Sequence, residues 1–225
     1  MWGTIVNTAA IIAGGTVGLF LNKNLPQRYQ AIIFQALGLF TLVLGVSMAL
    51  KMEQALLCIL SLILGGITGE LLNLEVRLER LSNRLKAKVK IGNERFTEGF
   101  ITSTLLFCVG AMAIVGAVEE GSGNYPSIFL TKSVMDGFSS IALAAAMGVG
   151  VLFSSLIVFG YQAGLTALVI FFGNLLSSSI INEVAAVGGI LIVGLGINLL
   201  KLANIKIVNL LPSIVIVGVM VWIFA

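Results

Sequence analysis

The chain has 225 residues, of which 58% are hydrophobic and only 10% charged, with a net charge of +3. A water-soluble domain needs about a quarter charged residues to solvate its surface, so this composition excludes one and makes lipid the solvent. There is no histidine, and Cys58 and Cys108 both lie inside apolar runs. A His/Cys metal site, a disulfide framework and a resident cofactor are therefore not expected.

In chain order, the apolar runs predict an all-α, polytopic transmembrane bundle forming a single membrane domain. The first span, 1–21, has no basic leader and runs into Asn22-Lys23-Asn24 without a small-x-small cleavage site; it is expected to be retained rather than removed as a signal peptide. Spans at 31–50 and 54–72 follow. The sizeable polar stretch comes next. Leu74, Leu78, Leu81 and Leu85 recur at helical spacing, with Arg77, Arg80 and Arg84 between them. This pattern predicts an amphipathic helix over 74–91 on the cytoplasmic membrane surface, its basic face against anionic lipid headgroups. A regulatory or partner-binding helix is the alternative. The segment is short and lacks stacking aromatics, so nucleic acid is not an expected partner.

The remaining spans are 100–118, 137–159, 164–181, 184–200 and 207–225, about eight in all. Residues 137–181 are read as two spans broken at Gly160-Tyr161-Gln162-Ala163-Gly164. Seven spans plus a re-entrant segment over 160–181 is the alternative. With the N-terminus outside, eight spans put Lys23, Arg28, Arg77, Arg80, Arg84, Lys86, Lys88, Lys90, Arg95, Lys201 and Lys206 in inner loops, leaving Lys51 and Lys132 outside. Basic loops stay cytoplasmic, so both termini are expected outside. Merging the two spans would move Lys201 and Lys206 outside as well.

Two segments repeat. Gly14-Gly15-x-x-Gly18-x-x-Leu21-Asn22 and Gly65-Gly66-x-x-Gly69-x-x-Leu72-Asn73 share one pattern, each closing an outward-to-inward span. The spans after them correspond loosely, which suggests duplicated helical hairpins of the kind common in transporters. Glycines four apart line one helix face and admit a close neighbour. Tight packing within the chain is the expected use; a homo-oligomer seam is the alternative.

Polar groups inside spans are where function is expected, because hydrocarbon penalises each one unless it is paired or wetted. Glu70 and Glu98 fall near inner helix ends, and Glu119, Glu120, Asp136 and Glu183 near outer ones. Glu98, Asp136 and Glu183 open spans, where a carboxylate is favourable without further role; Lys132, one turn before Asp136, is its expected ion partner. Asn7, Asn174 and Asn198 lie deeper. With Asp136, Glu183, Glu98 and Glu70 they form the candidate set for a small ion or solute path. Pro212, after Asn209-Leu210-Leu211, is expected to kink or begin the last helix. No catalytic constellation is present: there is no histidine for a triad or an HExxH pair, and no P-loop spacing. An enzyme is not expected.

Gly3-Thr4-Ile5-Val6-Asn7-Thr8 leading to Gly14-Gly15, the run from Leu105 to Gly116, Lys132-x-x-x-Asp136-Gly137-Phe138, and Gly196-Ile197-Asn198-Leu199-Leu200 with Asn209-Leu210-Leu211-Pro212 together resemble the YqgA/YdfK-like (DUF554) membrane proteins over essentially the whole chain. The resemblance implies a multi-pass protein of the bacterial cytoplasmic membrane and brings no substrate with it. Two functions follow as expectations. One is a small-solute or cation transporter or channel. The other is a non-transporting scaffold or regulator acting through helix 74–91 and the glycine faces.

Overall fold

A computed structural model describes residues 1–22, 26–89, 95–109, 111–172 and 177–224. Every regular element among them is helical: α1 (Trp2–Asn22), α2 (Gln27–Ala49), α3 (Ala55–Leu71), α4 (Leu74–Val89), α5 (Phe96–Cys108), α6 (Ala111–Gly121), α7 (Ser127–Met147), α8 (Gly150–Phe172), α9 (Ser178–Leu199), α10 (Ile207–Leu210) and α11 (Pro212–Phe224). Six stretches are long and apolar enough to cross a membrane, one of them α10 and α11 together, and up to eight if α3 with α4 and α5 with α6 are each counted as one bent span. The amphipathic segment forms α4, bent 54° from α3, with Arg77, Arg80 and Arg84 exposed. The 17 residues of α3 reach about 25 Å at the α-helical rise.

The difficult region departs from the reading of the sequence. The break falls at Gly148–Val149, between α7 and α8, and not at 160–164; α7 also begins ten residues before the expected span. Gly148 has φ +83°, a conformation that costs glycine nothing, and its N–H closes α7 on the Ala144 carbonyl at 2.8 Å. Gly160 and Gly164 sit inside α8 with open space where a side chain would be. They are tolerated within a helix rather than turning it. Neither 148–149 nor 160–164 holds a basic residue, so the basic residues assigned to inner loops are unaffected, but Lys132, expected in an outer loop, falls inside α7.

The helices group into two compact units. In unit 1, residues 1–34, 81–108 and 112–175, α1 lies along α7 and α8 packs on α1, α5 and α7. Gly14 and Gly18 make the α1–α7 approach possible, since a Cβ on either would strike a backbone carbonyl, that of Gly137 or Ile141. Phe96, Phe100, Phe107, Phe129, Leu143 and Val151 fill the interior. Phe96 lies 6.3 Å from Phe100 and 5.4 Å from Phe153 between ring centres.

In unit 2, residues 35–80, 109–111 and 176–225, α3 packs on α10 and α11, and α9 on α11. Gly65 and Gly69 meet Ser213 and the Asn209 carbonyl, at the point where Pro212 starts α11. α2 meets α9 through glycines on both sides, Gly45 against Gly189 and Gly38 against Gly196. Small residues of this kind let helix backbones approach in lipid, where no hydrophobic force drives helices together.

Candidate functional site

Charge is concentrated in the interior of unit 1. Lys132 and Asp136 stand one turn apart on α7, and Lys132 Nζ donates to both carboxylate oxygens, at 2.9 and 2.7 Å. Each residue is 6% exposed. Asp136 lies near the middle of α7 and not at a helix end. The physical reason is that the neutralised pair no longer terminates the helix, so α7 extends back through Phe129 to Ser127. From α1, Asn7 Nδ2 donates to Asp136 Oδ2 at 3.0 Å. Asn7 is fully buried and its Oδ1 has no partner. α5, which ends at Cys108, packs on α7 and α8.

One turn nearer the start of α1, Glu120 closes this region. Its Oε1 accepts from the Gly3 N–H at 2.6 Å and its Oε2 from Thr4 Oγ1 at 2.8 Å. Thr166 Oγ1 of α8 lies 3.4 Å from the same Oε2, and the Met1 amine 3.3 Å from Oε1. Gln162 is one turn deeper than Thr166 on α8. It is fully buried, and neither its Oε1 nor its Nε2 has a partner. Thr104, one turn before Cys108, is likewise buried with a free hydroxyl. The serines around them, Ser103, Ser133, Ser140, Ser154 and Ser155, all donate to carbonyls of their own helices.

The other sequence candidates occupy different settings. Glu183, on α9 in unit 2, is fully buried. Its Oε1 accepts from the Glu53 and Gln54 N–H groups at 2.7 and 2.6 Å, capping α3, and its Oε2 has no partner. Asn198 clamps the 200–206 loop through both amide atoms, with Ile205 N–H and C=O each at 2.8 Å. Glu70 accepts from Lys206 at 2.9 Å and from Asn209 at 2.7 Å, while Asn209 Oδ1 receives the Glu75 N–H that begins α4. The Lys206 ammonium is held above its ordinary range, first by the hydrogen bond to Glu70 and then by that carboxylate's charge. Glu98 is exposed in the first turn of α5. Asn174 lies outside the described residues. Gly15 and Gly66 pack beside their partner glycines, against Leu152 and Leu210.

Of the candidates, the fold thus brings Asn7 and Asp136 together, with Lys132. Glu120, read from the sequence only as an acid near an outer helix end, is buried in the same unit, as are Gln162 and Thr104. Gln162 was obscured by placing the helix break on top of it; inside a helix, a glutamine amid apolar residues would have stood out. Among the described residues no three His, Cys, Asp or Glu side chains stand together as metal ligands. The unit 1 arrangement can hold hydrogen-bonding groups at a neutralised ion pair in a partly polar interior.

Comparison with known proteins places the chain among membrane proteins. The chain is 34% identical to the uncharacterized membrane protein YdfK of Bacillus subtilis (strain 168), over 99% of this chain and 96% of the relative. It is 27% identical to the uncharacterized protein YqgA of Escherichia coli (strain K12), over 95% and 93%. No solved structure matches. Residues 2–222 match the family described as "Protein of unknown function (DUF554)"; the chain is a membrane protein belonging to that family.

Proposed function

We propose that this protein is a transporter or channel of the bacterial cytoplasmic membrane for a small solute or ion, and that its path runs through the polar interior of unit 1. The observation that carries this reading is the Lys132–Asp136 pair, buried halfway along a membrane-length helix and joined by Asn7. Ionisable groups inside a span are costly, and they mark solute or ion pathways more often than structural needs. The reading involves no chemistry on the solute; the protein is not an enzyme on this view. Both termini face outside, and α4 rests on the cytoplasmic surface against anionic headgroups.

A second reading is favoured by the exposed Arg77, Arg80 and Arg84 of α4: a scaffold or regulator working through that helix. One experiment separates the two. Purified protein in liposomes is tested for flux of monovalent and divalent ions and small metabolites, beside a variant with Lys132→Met and Asp136→Leu together. Protein-dependent flux lost in the double variant is expected. No flux for any species would sink the transport reading and leave the scaffold.

A further inference from the structure

Resting on the transport reading, we infer that the unit 1 site takes a small solute of no net charge bearing both hydrogen-bond donors and acceptors, an amide or polyol, rather than a bare ion. Five buried side-chain atoms among the described residues lack a hydrogen-bond partner, and four belong here: Asn7 Oδ1, Thr104 Oγ1, and Oε1 and Nε2 of Gln162. They come from α1, α5 and α8, which pack together with α7. Their depth is set by two links. Thr4 and Thr166 both reach Glu120 Oε2, so Asn7, one turn after Thr4 on α1, and Gln162, one turn before Thr166 on α8, both sit below Glu120, and Asn7 meets the ion pair there. Thr104 lies on α5, which packs on both α7 and α8.

Buried polar groups in low dielectric find partners, since leaving them unmade is costly. The amide orientation of Asn7 is settled by its carboxylate neighbour: Nδ2 must face Asp136, so Oδ1 is the free atom. Gln162 offers one donor and one acceptor whichever way its amide is turned. A bare cation would use the oxygens, leave the Gln162 N–H idle, and add charge where Lys132 already neutralises Asp136. An anion would meet two carbonyl oxygens. A neutral ligand that donates to the oxygens and accepts from the Gln162 N–H completes the set without net charge, which a low-dielectric site favours strongly.

The test uses the full chain in liposomes. Entry of urea, acetamide and glycerol is followed by stopped-flow light scattering, with Na⁺, K⁺ and Cl⁻ currents measured in planar bilayers. At least one neutral solute should enter about tenfold faster than into protein-free vesicles, the factor that loss of one or two hydrogen bonds would remove, and no ion current should appear. Gln162→Leu should return entry to the protein-free rate while raising the melting temperature by roughly 2–4 °C, because it deletes two unpaired buried groups at similar volume. Thr104→Val, a smaller change, serves if Gln162→Leu does not fold, and should slow entry. Ion currents lost in either variant, with neutral entry at the protein-free rate, would overturn the solute class and leave transport standing. Neutral entry unchanged in both variants would overturn the site. Neither entry nor current would overturn this inference and the transport reading together.

Discussion

The first and third helices begin from the same pattern and end in different chemistry. Positions of α1 have counterparts 51 residues later, in α3 or just before it: Gly3 and Gln54, Asn7 and Cys58, Gly14 and Gly65, Gly18 and Gly69. The structural roles correspond at both ends. The Gly3 and Gln54 N–H groups are each capped at 2.6 Å by a buried glutamate from another helix, Glu120 or Glu183. Both glycine faces admit a backbone. Yet Gly14 and Gly18 meet the unbroken α7, whereas Gly65 and Gly69 meet the junction of α10 and α11. The position between cap and glycines differs as well: Asn7 reaches Asp136, while Cys58 is a buried free thiol. Capping and close packing are what a duplicated helix needs to stand in lipid, and both copies keep them. The charged pair joins only one copy, through Asn7.

The largest effect that would sharpen this contrast is the loss of Asp136. Asp136→Ala leaves Lys132 buried without its counter-charge, and should cost about 3–5 kcal/mol, read as thermal unfolding in detergent. Adding Lys132→Met should restore most of it. Cys58→Ala, at the α3 position corresponding to Asn7, should cost far less, and an equal loss would break the distinction between the units.

Next is the glycine face. Gly69→Val drives side-chain atoms into the Asn209 backbone and should destabilise by about 1–3 kcal/mol or more. Gly160→Val, facing open space, should be nearly silent. If Gly160→Val proved the more damaging in the same melting assay, the placement of the α7–α8 break would be wrong. The capping glutamates come third. Glu120→Gln and Glu183→Gln keep the shape but give up charge-assisted bonds, for about 1–2 kcal/mol each, and similar losses are expected if the caps are equivalent. The smallest effect belongs to Lys206→Met, because the Lys206–Glu70 pair is more than half exposed and solvent screens it. The sign is definite. Lys206 is raised on folding, so the pair's contribution is complete below the ordinary lysine range and is lost as pH rises through the raised value. Melting temperatures of the wild type and Lys206→Met should therefore converge in strong alkali.

Much of the fold was legible because lipid leaves little choice. Segments with few charges must be helices so that their backbones are satisfied, and the runs opening at Met1, Ala31 and Gln54 became α1, α2 and α3 within a few residues. The pattern of Leu74 to Leu85 became α4, and Pro212 begins α11. The boundary between α7 and α8 was not legible. Gly148, Gly160 and Gly164 look alike in a sequence, and only the positive φ of Gly148 distinguishes a turn from a helical glycine. The error moved Asp136 toward a helix end and Gln162 into a loop. The polar candidates were legible as residue types but not as partners. Asn7 and Asp136 meet across 129 positions of sequence, whereas Asn198, equally prominent, closes a loop seven residues on.

The sequence alone therefore determined the solvent, the helical class, the repeated glycine faces and the amphipathic helix that forms α4, since each follows from local composition or spacing. Only tertiary structure decided which polar groups are satisfied. Satisfaction depends on what a distant helix presents at the same depth: Glu183 finds the start of α3, Asn198 finds its own loop, and Gln162 finds nothing.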